Sequence, residues 1–160
     1  YDIYRSSLGG ALNFVSSTAG TSATDNGLFA NTTYLYAVRA VAGGGVYSPF
    51  TPIDPATTIV FSDSSLTGVL IQAVHLTQLR TAVNAMRAAA NLSPATFTDP
   101  TLTPGVTMIK QAHVAELRAA LNEARSTIGL PAIVYTDPTI TSGSTVMKAV
   151  HLTELRAGTQ

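Results

Sequence analysis

Three histidines, His75, His113 and His151, stand 38 residues apart, and they are the only histidines in the chain. Around them run IQAVHLTQLR, IKQAHVAELR and MKAVHLTELR, which align without a gap. One acidic residue precedes each at a matching place: Asp63 in FSDSSLTG, Asp99 in FTDPTLTPG and Asp137 in YTDPTITSG. Imidazole and carboxylate at a common period raise two chemistries. One is a ladder of metal sites, but zinc gathers three or four ligands at ~2 Å and each copy offers a single His. The other is structural, with an imidazole near a helix start bonding a backbone group or the Asp of a neighbouring copy. The ligand arithmetic favours the second, so no metal and no cofactor is expected.

Arg80, Arg118 and Arg156 share the same period and end the triplets Gln78-Leu79-Arg80, Glu116-Leu117-Arg118 and Glu154-Leu155-Arg156. Residues two apart do not face each other on a helix. Each Arg is therefore expected to pair between copies, where its planar fork can take a carboxylate. Gln78 stands in the first copy, so a carboxylate is not required in all three. Nothing sets two carboxylates across one cleft, as acid–base hydrolysis needs. Asp99 and Asp137 lack the alternating oxygen ligands and closing Glu of a calcium loop. Gly43-Gly44-Gly45 lacks the Lys and following helix of a phosphate loop, and there is no Gly-x-Ser-x-Gly. No catalytic residue is assigned and the chain is not expected to be an enzyme. Asn31-Thr32-Thr33 and Asn91-Leu92-Ser93 match glycosylation sequons, which makes Asn31 and Asn91 candidate glycan carriers.

These residues must be positioned by repeated units, since a fixed period means one structural unit used three times. The units fall at about 59–96, 97–134 and 135–160. Each reads as an aromatic-x-Asp segment, a Gly/Pro turn and an amphipathic helix. Leu76, Leu79, Val83 and Met86 form one apolar stripe, and Val114, Leu117, Leu121, Ala124 and Ile128 another. Thr107 and Thr145 are the expected N-caps. Asn91 with Pro94, and Gly129 with Pro131, close the first two helices. The 15-residue connector from Ser93 to Thr107 spans up to ~50 Å when extended, against ~30 Å for a 20-residue helix. Parallel stacking of successive helices is favoured, with antiparallel packing left open.

Residues 1–58 carry a different period. Tyr1–Arg5, Asn13–Ser16 and Thr33–Val41 alternate or run extended, with Tyr34, Tyr36 and Val38 on one face and Leu35, Ala37 and Arg39 on the other. Gly9-Gly10, Asp25-Asn26-Gly27 and the triple Gly separate the runs. The order YDIYRS, NGLFANTTYLYAVRAV and SPF resembles the later strands of a bacterial fibronectin type III domain. The resemblance implies a tyrosine corner, with the Tyr34 hydroxyl returning to backbone near Leu28–Ala30. It also implies that the first two strands of the sandwich are missing. The fold class expected is thus an all-β partial immunoglobulin-like sandwich over 1–58 plus an α-helical repeat domain over 59–160. The repeats resemble those at the C-terminal ends of bacterial secreted and surface proteins.

Composition narrows the function classes. Nine basic residues balance nine acidic ones, charged residues are 11% of 160, and Ser and Thr number 13 and 23. That is not the basic profile of a nucleic-acid binder, and no apolar run approaches the ~20 residues of a membrane span. Absence of Cys removes disulfide scaffolds and thiolate chemistry. An uncovered sandwich edge needs management, by the rest of a longer chain, by the helical repeats or by other copies. The leading expectation is a non-catalytic extracellular or cell-surface protein that self-assembles into a filament or appendage, by completing the β domain between subunits and packing repeats. The alternative is a binding or anchoring module of a large secreted bacterial protein, attached to glycan or cell wall.

Overall fold

The computed structural model describes all residues from Tyr1 to Gln160. Six strands precede three helices: β1 (Asp2–Ser7), β2 (Asn13–Ser17), β3 (Thr33–Arg39), β4 (Val41–Ala42), β5 (Val46–Tyr47), β6 (Asp54–Thr57), α1 (Ala73–Ala89), α2 (Gln111–Thr127) and α3 (Ala149–Gly158). Four strands form an antiparallel sheet in the order β2-β1-β3-β6, and β4 with β5 makes a separate hairpin. No helix is long and apolar enough to cross a membrane.

This arrangement corrects the expected fold class. A sandwich needs a second sheet packed face to face with the first. Here the second sheet is only a hairpin of two-residue strands, and α1 packs against β1, β3 and β6 instead. The chain is a mixed α/β fold, not an all-β sandwich beside a separate α-helical repeat domain. Even within the repeated segments, helix takes up only 17, 17 and 10 residues, and the connectors between are irregular.

The register explains which sheet face meets the helices. Ser6 lies opposite Leu35, Tyr4 opposite Ala37, and Thr33 opposite Thr57. Ser6, Thr33, Leu35 and Ala37 are all buried. On that face the Thr57 hydroxyl donates to the Thr159 carbonyl at the end of α3 (2.6 Å). The opposite face carries Ile3, Arg5, Tyr36 and Val38, which stay half-buried, and Tyr34, which is buried. Over it runs the irregular segment 18–30, held where Arg5 (2.6 Å) and the Tyr36 hydroxyl (2.8 Å) both donate to Asp25. Burial and the Asp25 carboxylate push the Tyr36 phenol up to about 12.

The main core sits among the helices. Leu76, Leu79, Val83 and Met86 of α1 meet Val114, Leu117 and Leu121 of α2 and Leu152 and Leu155 of α3, all without solvent exposure. Each helix touches both others. The first two end in Schellman motifs. The N–H of Asn91 bonds the Ala88 carbonyl and that of Leu92 the Arg87 carbonyl; Gly129 to Ser126 and Leu130 to Arg125 repeat the pattern. Asn91 and Gly129 take the positive φ this requires (57° and 81°).

Thr107 and Thr145 are not the N-caps. Helices begin three to four residues later, with Gln72, Lys110 and Lys148 in extended backbone at the cap positions. The two threonine hydroxyls instead accept from the Thr103 and Thr141 N–H groups (2.9 Å each), closing the turn ahead of the helix. The cap is made by the histidine.

Candidate functional site

Each histidine is the third residue of its helix, and its side chain folds back over the helix start. The backbone N–H of Gln72, Lys110 or Lys148 donates to Nδ1 of His75, His113 or His151 (3.0, 3.2 and 3.3 Å). An otherwise orphaned helix-terminal donor is thereby satisfied. Because Nδ1 accepts, the ring proton sits on Nε2, which donates to the aspartate of the same unit. These bonds are His75–Asp63 at 2.7 Å, His113–Asp99 at 3.0 Å and His151–Asp137 at 2.7 Å. The three imidazoles are fully buried while their carboxylates reach the surface. Both ring nitrogens are committed, so the imidazole fastens the aromatic-x-Asp segment to the helix it precedes. No group of three or more metal-ligating side chains gathers anywhere in the chain.

The lysine of the last two units adds to the latch. Lys110 Nζ lies 2.6 Å from Asp99, and Lys148 Nζ 2.9 Å from Asp137. Bonds from Lys110 and then His113 hold Asp99 below the ordinary carboxylate range; for Asp137, His151 contributes most and Lys148 next. The first unit has Gln72 in place of lysine.

The arginines join one unit to the next. Arg80 stacks on Phe97 at 4.6 Å and donates to the carbonyls of Thr98, Asp99 and Pro100 (2.8, 2.9 and 3.3 Å). Arg118 stacks on Tyr135 at 3.9 Å and donates to the Asp137 carbonyl (2.7 Å) and to Glu154 (3.4 Å). Burial under this stack pushes the Tyr135 phenol up to about 12. Arg156 does not reach onward. It returns to the first unit, stacking on Phe61 at 4.3 Å and donating to the Asp63 carbonyl at 2.6 Å. The same joint is used three times, and the third use closes a ring. Expected pairing between copies therefore takes a different form, with arginine seeking an aromatic face and carbonyls first and a carboxylate second.

Glu116 and Glu154 serve inside their own units, accepting from the N–H of Thr98 and Thr136 (3.0 and 2.7 Å). Gln78 does the same for Ser62 (3.3 Å). Further along, Arg87 donates to the Ala120 carbonyl (3.3 Å) and Glu123 (2.6 Å), and Arg125 to the Gly158 carbonyl (2.8 Å). Arg80 contacts the beginning of the second unit and Arg87 the far part of α2, so α1 and α2 run in the same direction. Sequence reasoning passed over Arg87 and Arg125, although they too are 38 residues apart.

In the β part, the Tyr34 hydroxyl accepts from the Phe29 N–H at 2.9 Å, next to Leu28. Asn31 and Asn91 are both exposed and both in left-handed backbone (φ 54° and 57°). Tyr4 stacks edge-on against Phe14 (5.7 Å) and Phe50 (4.9 Å), and Arg39 lies over Tyr47 at 3.8 Å. This cluster, with Phe14, Tyr47 and Phe50 exposed, was not anticipated from sequence. Its members come from separate strands and a loop. Comparison with known proteins leaves the chain on its own: no family, no curated protein and no solved structure matches it.

Proposed function

We propose that this chain is a non-catalytic, extracellular structural subunit that joins copies of itself through the half-covered face of its sheet. The supporting observation is a groove of about 560 Å³ between that face and segment 18–23, lined by Tyr1, Ile3, Tyr36 and Val38. A half-covered apolar sheet face is the kind of surface a partner completes. Beside it, β2 is an edge strand with largely exposed residues, suited to strand addition. Head-to-tail repetition of such a contact gives an open filament if the rotation does not close. Interlocking of repeats between subunits drops out of this reading, because each helix already packs against both others within the chain. A non-catalytic role is supported by the histidines, whose ring nitrogens are both engaged in holding the fold.

Sedimentation velocity and electron microscopy of the purified chain test the proposal. Assembly is expected to rise with concentration and to be lost in Val38→Glu, with the circular dichroism spectrum retained. A monomer at every concentration overturns it.

A second reading, a glycan- or wall-anchoring module, is favoured by the exposed aromatic cluster with Arg39. Aromatic faces flanked by polar groups suit the amphipathic surface of a sugar. A cell-wall pull-down in which the Phe14→Ala, Tyr47→Ala double variant is lost, from a chain that stays monomeric, would select this reading over assembly.

A further inference from the structure

We propose that the seam between the third and first units is a binding site for a carboxylate group, held by Arg156. The proposal is independent of the assembly reading and rests on comparison of three equivalent arginines. Arg80, Arg118 and Arg156 are each more than nine-tenths buried, and Nε is unpartnered in all three. Only Arg156 has a second orphan, Nη2. At the equivalent place, Arg80 Nη2 donates to the Thr98 carbonyl at 2.8 Å and Arg118 Nη2 meets the Glu154 carboxylate at 3.4 Å. Glu116 acts through its charge on Arg80. At the seam the residue in register with these two glutamates is Gln78, which supplies an amide. The missing partner is thus an oxygen acceptor at Nη2, and the Arg118 joint shows a carboxylate filling that position.

The place is also roomy. A groove of about 540 Å³ opens at the seam, with Arg156, Ser64, Ser65, Thr153 and Gln160 among its walls. Nη2 and Nε share one edge of the Arg156 guanidinium, buried at the groove wall, and that edge is the fork that receives a carboxylate through two parallel bonds. Ser64, Ser65 and Thr153 line the same groove. A buried cation with an unpaired edge is costly, and burial indeed depresses the Arg156 guanidinium below its ordinary range. Binding of an anion with two oxygens in a plane relieves that cost; a spherical anion of the same charge fits the fork less well.

Thermal melts of the full chain in sodium acetate and in sodium chloride, at equal ionic strength, test the proposal. Alongside, amide NMR spectra follow Ser64, Ser65 and Thr153. Acetate is expected to raise the melting temperature by about 2–4 °C over chloride and to shift those amides in a saturable way. A Glu-containing tetrapeptide amide, compared with its Gln counterpart, reports whether a side-chain carboxylate also enters. Response to acetate alone assigns small free carboxylates, and response to both extends the site to acidic peptides. Gln78→Glu supplies the carboxylate from within the chain. This near-isosteric variant is expected to melt higher than the parent and to lose the acetate response. Equal melting in acetate and chloride with no saturable amide shifts, or an acetate response undiminished in Gln78→Glu, overturns the proposal.

Discussion

Replacing His113 by alanine tests whether the buried imidazole is a latch. Its side chain is wholly inaccessible and holds the Lys110 N–H at 3.2 Å and Asp99 at 3.0 Å. Truncation leaves the Lys110 N–H without its acceptor, which costs about 1–2 kcal/mol for a part-buried donor. The void left in the core adds about 2 kcal/mol, the low end for truncating a large buried side chain. Together the loss is about 3–4 kcal/mol, and at roughly 2–4 °C per kcal/mol the melting temperature falls by about 10 °C. His113→Asn separates the two roles. Its Oδ1 reaches the Lys110 N–H as Nδ1 did, but nothing reaches Asp99. It should recover about 1 kcal/mol of the loss. Urea unfolding of the three proteins, followed by circular dichroism, gives the numbers. An alanine variant within about 1 kcal/mol of the parent would refute the latch, since that is the ordinary effect of a substitution with no such mechanism. An asparagine variant no better than alanine would refute the Nδ1 contribution.

Three further expectations follow from the same contacts. Arg118→Lys keeps the charge but loses the flat stack on Tyr135 and the fork to Asp137 and Glu154, and should cost about 1–2 kcal/mol in urea unfolding. Asp99 and Asp137 are held below their ordinary value of 3.8, so their contribution is present above that value and disappears as pH falls through their lower folded values. Melting temperature should therefore drop on acidification below about pH 4, and Lys110→Met with Lys148→Met should weaken that dependence. Tyr34→Phe removes the acceptor of the Phe29 N–H and should cost about 1–2 kcal/mol, visible as faster amide exchange at Phe29.

Much of the site was legible because repetition exposes it. His75, His113 and His151 recur with Asp63, Asp99 and Asp137, and the structure brings each pair together within one unit. Their arginines were legible as residues but not in their destinations. Sequence spacing cannot say whether Arg156 reaches forward to a neighbour or back to Phe61; that depends on the rotation between successive units, which packing angles set. Spacing therefore supports parallel stacking but not its closure, which three related joints bring about. The helix starts were misplaced because threonine is a good cap in general, whereas here an imidazole three residues into the helix takes that role. Strand positions followed from alternation, as at Thr33–Arg39, but alternation says only that one face is buried. It does not say by what, and α1 rather than a second sheet covers Leu35 and Ala37.

The closed ring can be measured directly, since the chain has no native cysteine to interfere with spin labels. Leu70, Met108 and Val146 occupy the same position in the three units and are 80%, 78% and 73% exposed. Double electron–electron resonance on the three pairwise cysteine variants compares the distances between them. A ring predicts three similar distances. An open stack, with neighbouring helices about 8–10 Å apart, would make the Leu70–Val146 distance roughly twice the other two, and that result would contradict the account.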